Sequence, residues 1–580
     1  MQVASFEKAH RRFGNIRLLL VIATSIAAWF SFYRDAFSAW WLLLAPVVFL
    51  VIAILHSRVL RQRECAERAV DFYRKGLARI ENRWIDPDQP GQTDTRIDVP
   101  SSLYATDLDL FGSGSLFELL SLARTRMGED ALAAWLLFPS PVAQLTQRHA
   151  AIAELRSRLD LREDIAILGE DIKVGIHPEA LTQWAEAPNQ LAYPWLRWLS
   201  LLLAFAAIAT AVIWAELGTR IPFFAIIIVE TIITASLHKR TEAVLHATDH
   251  ALEDLQLLSS LLARLEREQF AAPRLQALKA ELVSHHLAGS KAIARLRTIV
   301  EYIRSLDNPL MRGLNIPLMY AVQAAYAAEA WRAEHGAAVR SWLKATGEAE
   351  ALLSLSGYSY EHPSDPFPEF VEGSPCFTAQ QLGHPLIPAE KCVRNNVSVG
   401  DETKVLLVSG SNMSGKSTLL RSVGINTVLA MAGAPVRAQQ LRLTPLQIGA
   451  SILINDSLQE GSSRFYAEIT RLRHICDLAE RNPPVLFLLD ELLQGTNSKD
   501  RLIGAEGVVR GLLASGAIGL ISTHDLALTH IGGEQDSRLQ NVHLQDKIQD
   551  GRMTFDFKLH EGVVTKSNGI ELMRLIGLKV

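Results

Sequence analysis

Four long apolar runs stand out in the pattern of hydrophobic and polar positions, and each predicts a helix that crosses a membrane. The first two cover residues 16–32, with a single charge, and 36–55, with none. The other two cover 198–215, also uncharged, and 221–237, which contains one carboxyl group, Glu230. About 20 apolar residues cross the hydrocarbon core of a bilayer, so the runs predict two transmembrane helical hairpins. The fourth run is the weakest, because a carboxyl group at mid-span is costly.

Basic residues mark one side of these runs and set their predicted orientation. They precede the first run, follow the second and follow the fourth: Lys8, Arg11, Arg12, Arg58, Arg61, Arg63, Lys239 and Arg240. Because positive charge stays on the cytoplasmic side of a membrane, both ends of the chain and both large polar segments are expected to face the cytoplasm. Two alternatives remain open: a cleavable signal peptide for the first run, and buried helices of a soluble domain for the third and fourth.

Changes in composition divide the chain into segments. The first hairpin occupies residues 1–60, and residues 61–99 combine a basic amphipathic stretch with a linker rich in proline, aspartate and glycine. Residues 100–375 have a helical pattern around the second hairpin, and the leucine spacing over 241–304 predicts long paired helices or coiled-coil arms. An ordinary helical bundle fits the same spacing. After a proline-rich stretch, residues 376–580 form a separate domain.

Charge and cysteine content narrow the classes of function. The 580 residues carry a formal net charge of −4, so any contact with nucleic acid depends on a local basic patch or an assembled groove. The four cysteines are scattered without a C-x-x-C pair, which argues against a zinc site and against a disulfide framework. We therefore expect the last domain to work in a reducing cytoplasm.

The most specific motif begins where an apolar strand pattern ends. Val405–Val408 is typical of a buried parallel strand, and Gly410, Gly415, Lys416 and Ser417 then meet the spacing G-x-x-x-x-G-K-S. Glycines allow backbone N–H groups to surround a phosphate, the lysine reaches the outer phosphates, and the serine hydroxyl ligates magnesium. The pattern predicts a nucleoside triphosphate and Mg²⁺ as ligands.

Two further strand patterns deliver polar residues at their ends. Val485–Leu489 is followed by Asp490 and Glu491, and the run "AIGLIST" is followed closely by His524. Asp490 is suited to hold magnesium and Glu491 to orient the attacking water, as phosphoryl transfer requires. His524 is placed to sense a γ-phosphate from a neighbouring strand. An acidic helix start and an ordinary surface histidine are the plain alternatives for these residues.

Several motifs in the last domain resemble those of MutS-type mismatch-repair ATPases. The loop "GSNMSGKST" carries an Asn-Met pair found in that family, "LDELLQGTNSKD" resembles its magnesium and switch segment, and "NDSLQEGSSRFYAEI" resembles its signature segment. "STHD" and the final "VTKSNGIELMRLIGL" also match. Upstream, "SLFELLSLARTRMGEDALAAWLLFPS" resembles the start of the family's helical core more weakly.

The resemblance implies a fold and a set of site residues. The fold is an α/β P-loop ATPase domain of the ABC and MutS type at the C-terminus, preceded by an all-α MutS-like core that carries transmembrane hairpins. Mg²⁺ is expected on Ser417 and Asp490, and Glu491, His524 and Lys416 are the expected catalytic residues of an ATP hydrolase. ATP is expected to contact the whole loop, formed by Gly410, Ser411, Asn412, Met413, Ser414, Gly415, Lys416, Ser417 and Thr418.

The family also implies a homodimer in which two subunits share each ATP site. Gly461 and Ser463 in the signature segment of one subunit are expected to complete the site of the other. A serine hydroxyl at a helix start suits an anion, and a simple helix cap is the alternative. Arg464 stands where the family usually has threonine.

DNA is expected as a partner through the resemblance alone. A membrane hairpin replaces the N-terminal domain with which family members read mismatches, so the residues do not support mismatch specificity. Four basic residues on the predicted helices form either a phosphate-facing stripe or a solvated face: Lys279, Lys291, Arg295 and Arg297. The expected protein is a multi-pass membrane-anchored MutS-like ATPase. An ABC-type ATP-driven membrane machine and an ATP-gated membrane scaffold are the alternatives.

Overall fold

The computed structural model describes most of the chain. The described residues are 2–34, 40, 44–85, 102–168, 178–191, 193, 195–246, 252–284, 287–306, 308–411, 413–453, 464–531, 536–549 and 552–564. The chain divides into two compact units, one formed by residues 1–81 with 160–173 and the other by 82–159 with 174–580. Within the described residues the protein is mostly helical, with 17 α-helices and two larger mixed sheets.

The first unit contains an antiparallel pair of long helices, α1 (Gln2–Arg34) and α2 (Leu44–Ile80). Arg17 lies over the ring of Phe49, and the His10 and His56 side chains approach within 2.9 Å between their ring nitrogens. The helix α2 joins the second predicted span to the basic stretch that was expected to follow it. Apolar side chains on both helices are largely exposed.

Helices dominate the second unit before the large sheet. They are α3 (Leu116–Leu120), α4 (Arg126–Leu137), α5 (Val142–Arg156), α6 (Leu159–Leu168, mostly within the first unit), α7 (Pro178–Glu186), α8 (Trp195–Leu217), α9 (Ile221–His246), α10 (Leu252–Arg267), α11 (Pro273–Glu281), α12 (Gly289–Ser305), α13 (Pro309–Leu318) and α14 (Tyr320–Glu361). Between α11 and α12 lies a short antiparallel pair, β1 (Val283–Ser284) and β2 (Leu287–Ala288). The 42-residue helix α14 packs against α4, α5, α7 and α12.

Close contacts on α14 depend on glycine and on buried aromatic residues. A Cβ atom at Gly347 would lie 2.6 Å from the carbonyl oxygen of Met127 in α4, so only glycine allows the two helices to approach this closely. On another face, Trp331 donates a 2.7 Å hydrogen bond to the carbonyl of Ala292 in α12, and Trp342 is fully buried. α14 is therefore the centre of the helical core.

Residues 241–304, over which long paired helices or coiled-coil arms are predicted, contain several helices in the described structure. The structure places there the end of α9, then α10 and α12, of 16 and 17 residues, packed against each other, with α11 between them in sequence. Pro273 occupies the first turn of α11, where its missing N–H is tolerated, so the helical pattern restarts at this residue. The described residues thus contain a pair of packed helices, as the leucine spacing predicts, and each of them is 16 or 17 residues long.

The second apolar hairpin is α8 and α9, which also contact α13 and α14. The described residues contain four helices long and apolar enough to cross a membrane by length and composition: α1, α2, α8 and α9. Glu230 of α9 is buried, and neither of its carboxyl oxygens has a hydrogen-bond partner among the described residues.

The C-terminal region combines two sheets with flanking helices. Its elements are β3 (Glu369–Phe370), β4 (Phe377–Leu382), β5 (Asn395–Val399), β6 (Val405–Ser409), α15 (Lys416–Ala432), β7 (Gln440–Leu443), β8 (Gln447–Ser451), α16 (Arg464–Ala479), β9 (Val485–Asp490), α17 (Ser498–Ala514), β10 (Ile518–Thr523), a 3₁₀ helix (Leu526–His530), β11 (Leu539–Gln549) and β12 (Arg552–Glu561). The smaller sheet has the order β3-β7-β4-β5.

The larger sheet positions the candidate site. Its order is β12-β11-β6-β10-β9-β8, and all neighbours are parallel except the hairpin of β11 and β12. Every residue of β6 and β10 is buried, as expected of parallel strands covered on both faces. The strands predicted from three apolar patterns are β6, β9 and β10, and they are adjacent.

Candidate functional site

Three parallel strands end side by side at one edge of the large sheet. In register, Ser409 of β6 lies opposite Thr523 of β10, and Ser522 of β10 lies opposite Asp490 of β9. Because the carboxyl ends of parallel strands share an edge, the polar residues that follow them converge there. The three strand ends thus bring together motifs that are spread over more than a hundred residues of sequence, from Gly410 to His524.

The glycine loop between β6 and α15 depends on its two glycines. Gly415 has a φ of +98°, and a Cβ atom there would also lie 3.0 Å from the Phe557 ring. At Gly410 a Cβ atom would lie 2.8 Å from the Ser414 hydroxyl. A side chain at either position would strain or displace the loop, which explains the glycine spacing.

Lys416 lies inside the loop. Its Nζ donates hydrogen bonds of 2.9 Å to the carbonyl oxygens of Gly410 and Ser411. Burial lowers the pKa of the Lys416 ammonium group, and the carboxylates of Glu491 and Asp490 oppose that shift. The Ser411 hydroxyl is buried without a hydrogen-bond partner among the described residues. The loop thus holds one cation and one unused polar group, which suits an anionic ligand.

Asp490 accepts hydrogen bonds from two hydroxyl groups. Ser417 Oγ donates to one carboxylate oxygen at 2.5 Å, and Ser522 Oγ donates to the other. Mg²⁺ in nucleotide sites takes one or two protein oxygens and completes its shell with water and phosphate oxygens. Ser417 and Asp490 supply two such oxygens, and the described residues contain no group of three or more His, Cys, Asp or Glu side chains that could hold a metal ion.

Glu491 and His524 also meet at this edge. His524 Nδ1 lies 3.2 Å from Glu491 Oε1, and the Gln494 amide donates to Glu491 Oε2. The Glu491 backbone has a φ of +51° and its N–H donates to the carbonyl of Ser522 at 3.1 Å. This unusual backbone turns the carboxylate away from the strand direction. Sequence reasoning missed Gln494, which no motif spacing marked.

A cavity of about 210 Å³ adjoins the loop. Its lining includes Gly415, Thr418, His384, Cys392 and Phe557. Burial lowers the pKa of His384 to about 4, so the ring is neutral at physiological pH. No local pattern in the sequence indicates that His384, Cys392 and Phe557 share a cavity.

The helix α16 begins within the predicted signature segment and is anchored beside the acid pair. Glu468 of α16 is buried, and its Oε1 accepts a 2.5 Å hydrogen bond from the N–H of Leu493. A Cβ atom at Gly495 would lie 2.8 Å from Phe465 Cβ, so α16 packs closely on the segment after Glu491. Asn412, Gly461 and Ser463 lie outside the described residues. Met413 is 83% exposed, so its side chain contributes no packing to the loop.

The four cations of the predicted basic stripe lie on two helices. Lys279 is on α11 and donates its ammonium to the carbonyl of Glu268, whereas Lys291, Arg295 and Arg297 are on α12. Arg297 pairs with Glu301 at 3.2 Å. At least two of the four cations are engaged within the protein, which is typical of a solvated helix face.

The fold and the site together define an α/β domain with a candidate nucleotide site at the carboxyl edge of its parallel strands. Residues 406–579 match the family model of MutS domain V, the C-terminal ATPase domain of MutS proteins. The similarity to MutS domain V therefore covers this C-terminal region, and the relatives described next are similar to the same part of the chain and beyond it.

Three relatives show the extent of the similarity. A DNA mismatch repair protein MSH6 of Arabidopsis thaliana is 31% identical over 264 residues, which are 42% of this chain and 20% of that protein. DNA mismatch repair protein MutS of Brevibacillus brevis is 36% identical over 216 residues, 36% of this chain and 24% of that protein. MutS of Lactococcus lactis subsp. cremoris is 31% identical over 245 residues, 40% and 28% respectively. The chain spans a fifth to little more than a quarter of these relatives.

Proposed function

We propose that this chain is a membrane-anchored MutS-like ATPase that binds and hydrolyses ATP at sites shared by two subunits. The observation that carries the proposal is the convergence of Lys416, Ser417, Asp490, Glu491 and His524 at the ends of three adjacent parallel strands. A cation, an oxygen pair for Mg²⁺ and a carboxylate for water are the parts that phosphoryl transfer requires.

Each of these residues has a role that follows from its position. Lys416 exchanges its two carbonyl contacts for the outer phosphates of ATP, and the Ser411 hydroxyl gains a partner there. Ser417 and Asp490 would hold Mg²⁺, which would neutralise charge on the phosphates. Glu491 orients the attacking water, and His524 positions that carboxylate through their contact.

The cavity beside Gly415 is the place proposed for the base of the nucleotide. Its lining includes His384, Cys392 and Phe557 and does not include Asp490 or Glu491. A neutral imidazole and an aromatic ring offer stacking surfaces to a purine without a charge penalty. The triphosphate then extends along the loop toward Asp490.

Subunit sharing of the site is tested with mixed dimers. Lys416→Ala removes the loop cation and Ser463→Ala removes the proposed contact in trans, so each variant alone should be inactive. In a mixed dimer one of the two sites keeps both residues. Random mixing should therefore restore about a quarter of the parental turnover, since half the dimers are mixed and each has one intact site. A mixture as inactive as the separate variants contradicts sharing.

The membrane anchor rests on α1, α2, α8 and α9. Their apolar faces are largely exposed in the described structure, which would be costly in water and is favourable in lipid. The basic residues at the helix ends favour cytoplasmic placement of the ATPase domain. Fractionation after alkaline extraction tests this: recovery of the whole protein in the soluble fraction without detergent excludes the anchor.

DNA is the proposed partner because the matched relatives are named DNA mismatch repair proteins. ATP turnover of the detergent-purified protein is measured at low salt with duplex, mismatched and branched DNA. We expect at least one DNA to alter turnover and to bind in a salt-dependent manner. Absence of binding and of any effect on turnover rejects DNA as the partner. It would favour an ATP-driven membrane machine, for which the buried Glu230 is the supporting observation.

A further inference from the structure

One buried carboxylate joins the helical core to the ATPase domain far from any motif. Asp107 lies in the stretch before α3 and is 0% exposed. It accepts hydrogen bonds from the N–H groups of Ile452 and Leu453, at 2.6 and 2.7 Å, and from the guanidinium of Arg471. These donors lie more than 340 residues away in sequence.

The three donors lie at the end of β8 and in α16, before and after Gly461 and Ser463 along the chain. Ile452 and Leu453 directly follow β8, and Arg471 lies in α16. Arg471 also donates from Nε to the carbonyl of Ala450 at 2.8 Å. The guanidinium that pairs with Asp107 therefore also connects α16 to the end of β8. The chain between these elements contains Gly461 and Ser463.

Residues 103–109 also contact β8 and α15, the helix that follows the glycine loop. The carbonyl of Leu103 accepts a hydrogen bond from the N–H of Ala450 at 2.9 Å. Asp109 accepts one from Arg421 of α15 at 2.7 Å. The Asp109 side chain is 47% exposed, in contrast to the fully buried Asp107. Residues 103–109 therefore touch both parts of the ATPase domain that the proposed function requires.

The physical chemistry of Asp107 makes it a fixed contact. Burial raises the pKa of its carboxyl group, and Arg471 and the two N–H donors oppose that rise. Charge-assisted hydrogen bonds are short and directional, and removal of one partner leaves a buried charge that water cannot reach. The exit of β8 and the helix α16 are thus held at one distance from each other.

We propose that Asp107 is a positioning residue that holds the end of β8 against α16, between which the chain carries Ser463, and that it links the helical core to ATP turnover. The inference rests on the proposed function, in which Ser463 acts on the ATP of the partner subunit. Asp107 touches neither the glycine loop nor the acid pair. Its loss should therefore reduce turnover and leave ATP affinity nearly unchanged.

The first test uses Asp107→Asn in the full chain. The amide keeps the shape of the side chain and an acceptor for the N–H groups but removes the charge that pairs with Arg471. We expect turnover to fall about tenfold or more and the Kd for a fluorescent ATP analogue to stay within about threefold. The control is Asp109→Asn, whose half-exposed ion pair should change turnover by less than about twofold. Parental turnover in Asp107→Asn overturns the proposal.

The second test separates positioning from general damage to the fold. Lys416→Ala mixed with Ser463→Ala has one working site, whose signature segment comes from the Lys416→Ala subunit. Asp107→Asn added to that subunit should reduce the restored turnover about tenfold, whereas the same change in the Ser463→Ala subunit should leave it unchanged. Equal loss in both arrangements means that Asp107 is merely structural and overturns the proposal.

The outcomes also separate this inference from the proposed function. If the reference mixture without Asp107→Asn is inactive, the proposed function fails at that step. If the reference mixture is active and turnover is the same whichever subunit carries Asp107→Asn, the inference alone fails.

Should Asp107→Asn not fold, Arg471→Gln removes the other partner of the ion pair at a partly exposed position. It is expected to lower turnover only when it is in the Lys416→Ala subunit. Turnover equal to that of the reference mixture in both arrangements of Arg471→Gln overturns the inference.

Discussion

The carboxyl group of Glu350 makes the stability of the helical core depend on pH. Glu350 lies in α14, is fully buried, and accepts hydrogen bonds from the N–H of Arg124 at 2.9 Å and from the hydroxyl of Thr125. Burial raises its pKa to about 7, and the two donors only partly oppose that rise. An unfolded chain would lose this proton near pH 4.5.

The sign and size of the effect follow from this difference in pKa. Between about pH 4.5 and pH 7 the folded core binds more protons at Glu350 than the unfolded chain, so stability falls as pH rises through this window. A difference of about 2.5 pKa units corresponds to roughly 3 kcal/mol, all of it lost above pH 7. Glu350→Gln keeps an acceptor for the Arg124 N–H and does not titrate, and its amide N–H faces the Thr125 hydroxyl, which then accepts a hydrogen bond where it donates one to Glu350. It should be more stable than the parent at pH 8 by roughly that amount and equal to it near pH 4.5.

Hydrogen exchange of peptides from α14, measured between pH 5 and pH 8 and corrected for intrinsic rates, reports the local opening free energy without assuming that the whole chain unfolds in one step. The control is Glu334→Gln, an exposed position of the same helix, which should follow the parent. If the parent and Glu350→Gln show the same dependence on pH, the carboxyl is not held neutral by burial and the reasoning is refuted.

Two further predictions concern packing. Gly519→Ala places a methyl group 2.2 Å from the carbonyl oxygen of Phe487 on the neighbouring strand and should destabilise the ATPase domain by about 2–3 kcal/mol in hydrogen exchange of β9 and β10. Gly511→Ala, with no atom within 4 Å, should instead stabilise it slightly, and equal effects of the two would contradict the described packing. Glu230→Leu removes a buried carboxyl without a partner among the described residues and should raise the thermal midpoint in detergent, whereas Glu216→Leu at the exposed end of α8 should not. A lower midpoint for Glu230→Leu would mean that this carboxyl stabilises the hairpin.

The strands and residues of the candidate site could be predicted because one short motif determines both the backbone conformation of the loop and the functional groups that it carries. The glycines that permit the loop, the apolar strand before it and the hydroxyl after it are neighbours in sequence, so Val405–Ser409 and Lys416 could be placed directly. The same holds for Asp490 and Glu491. The apolar helices were also predictable from composition, although α1, α2 and α9 extend well beyond the apolar runs.

Other features carry no local signal. The helix α14 buries Ala, Gly and Ser residues all around its axis, so no apolar stripe distinguishes it in sequence, and the leucine spacing over 241–304 was more conspicuous. The contacts of Asp107 join positions more than 340 residues apart, and the cavity at His384 depends on a strand near the other end of the domain. Such contacts arise from tertiary packing and cannot be read from spacing.

The most direct measurement of the central claim is ATP hydrolysis by the detergent-purified protein with Mg²⁺, beside three variants. Lys416→Ala and Glu491→Gln should each lower turnover by at least about 100-fold, the first with loss of ATP binding and the second with binding retained. Lys344→Ala, an exposed lysine on α14, should hydrolyse ATP at the parental rate. Parental turnover in Lys416→Ala or in Glu491→Gln would contradict the assignment of this edge of the sheet as an ATP-hydrolysing site.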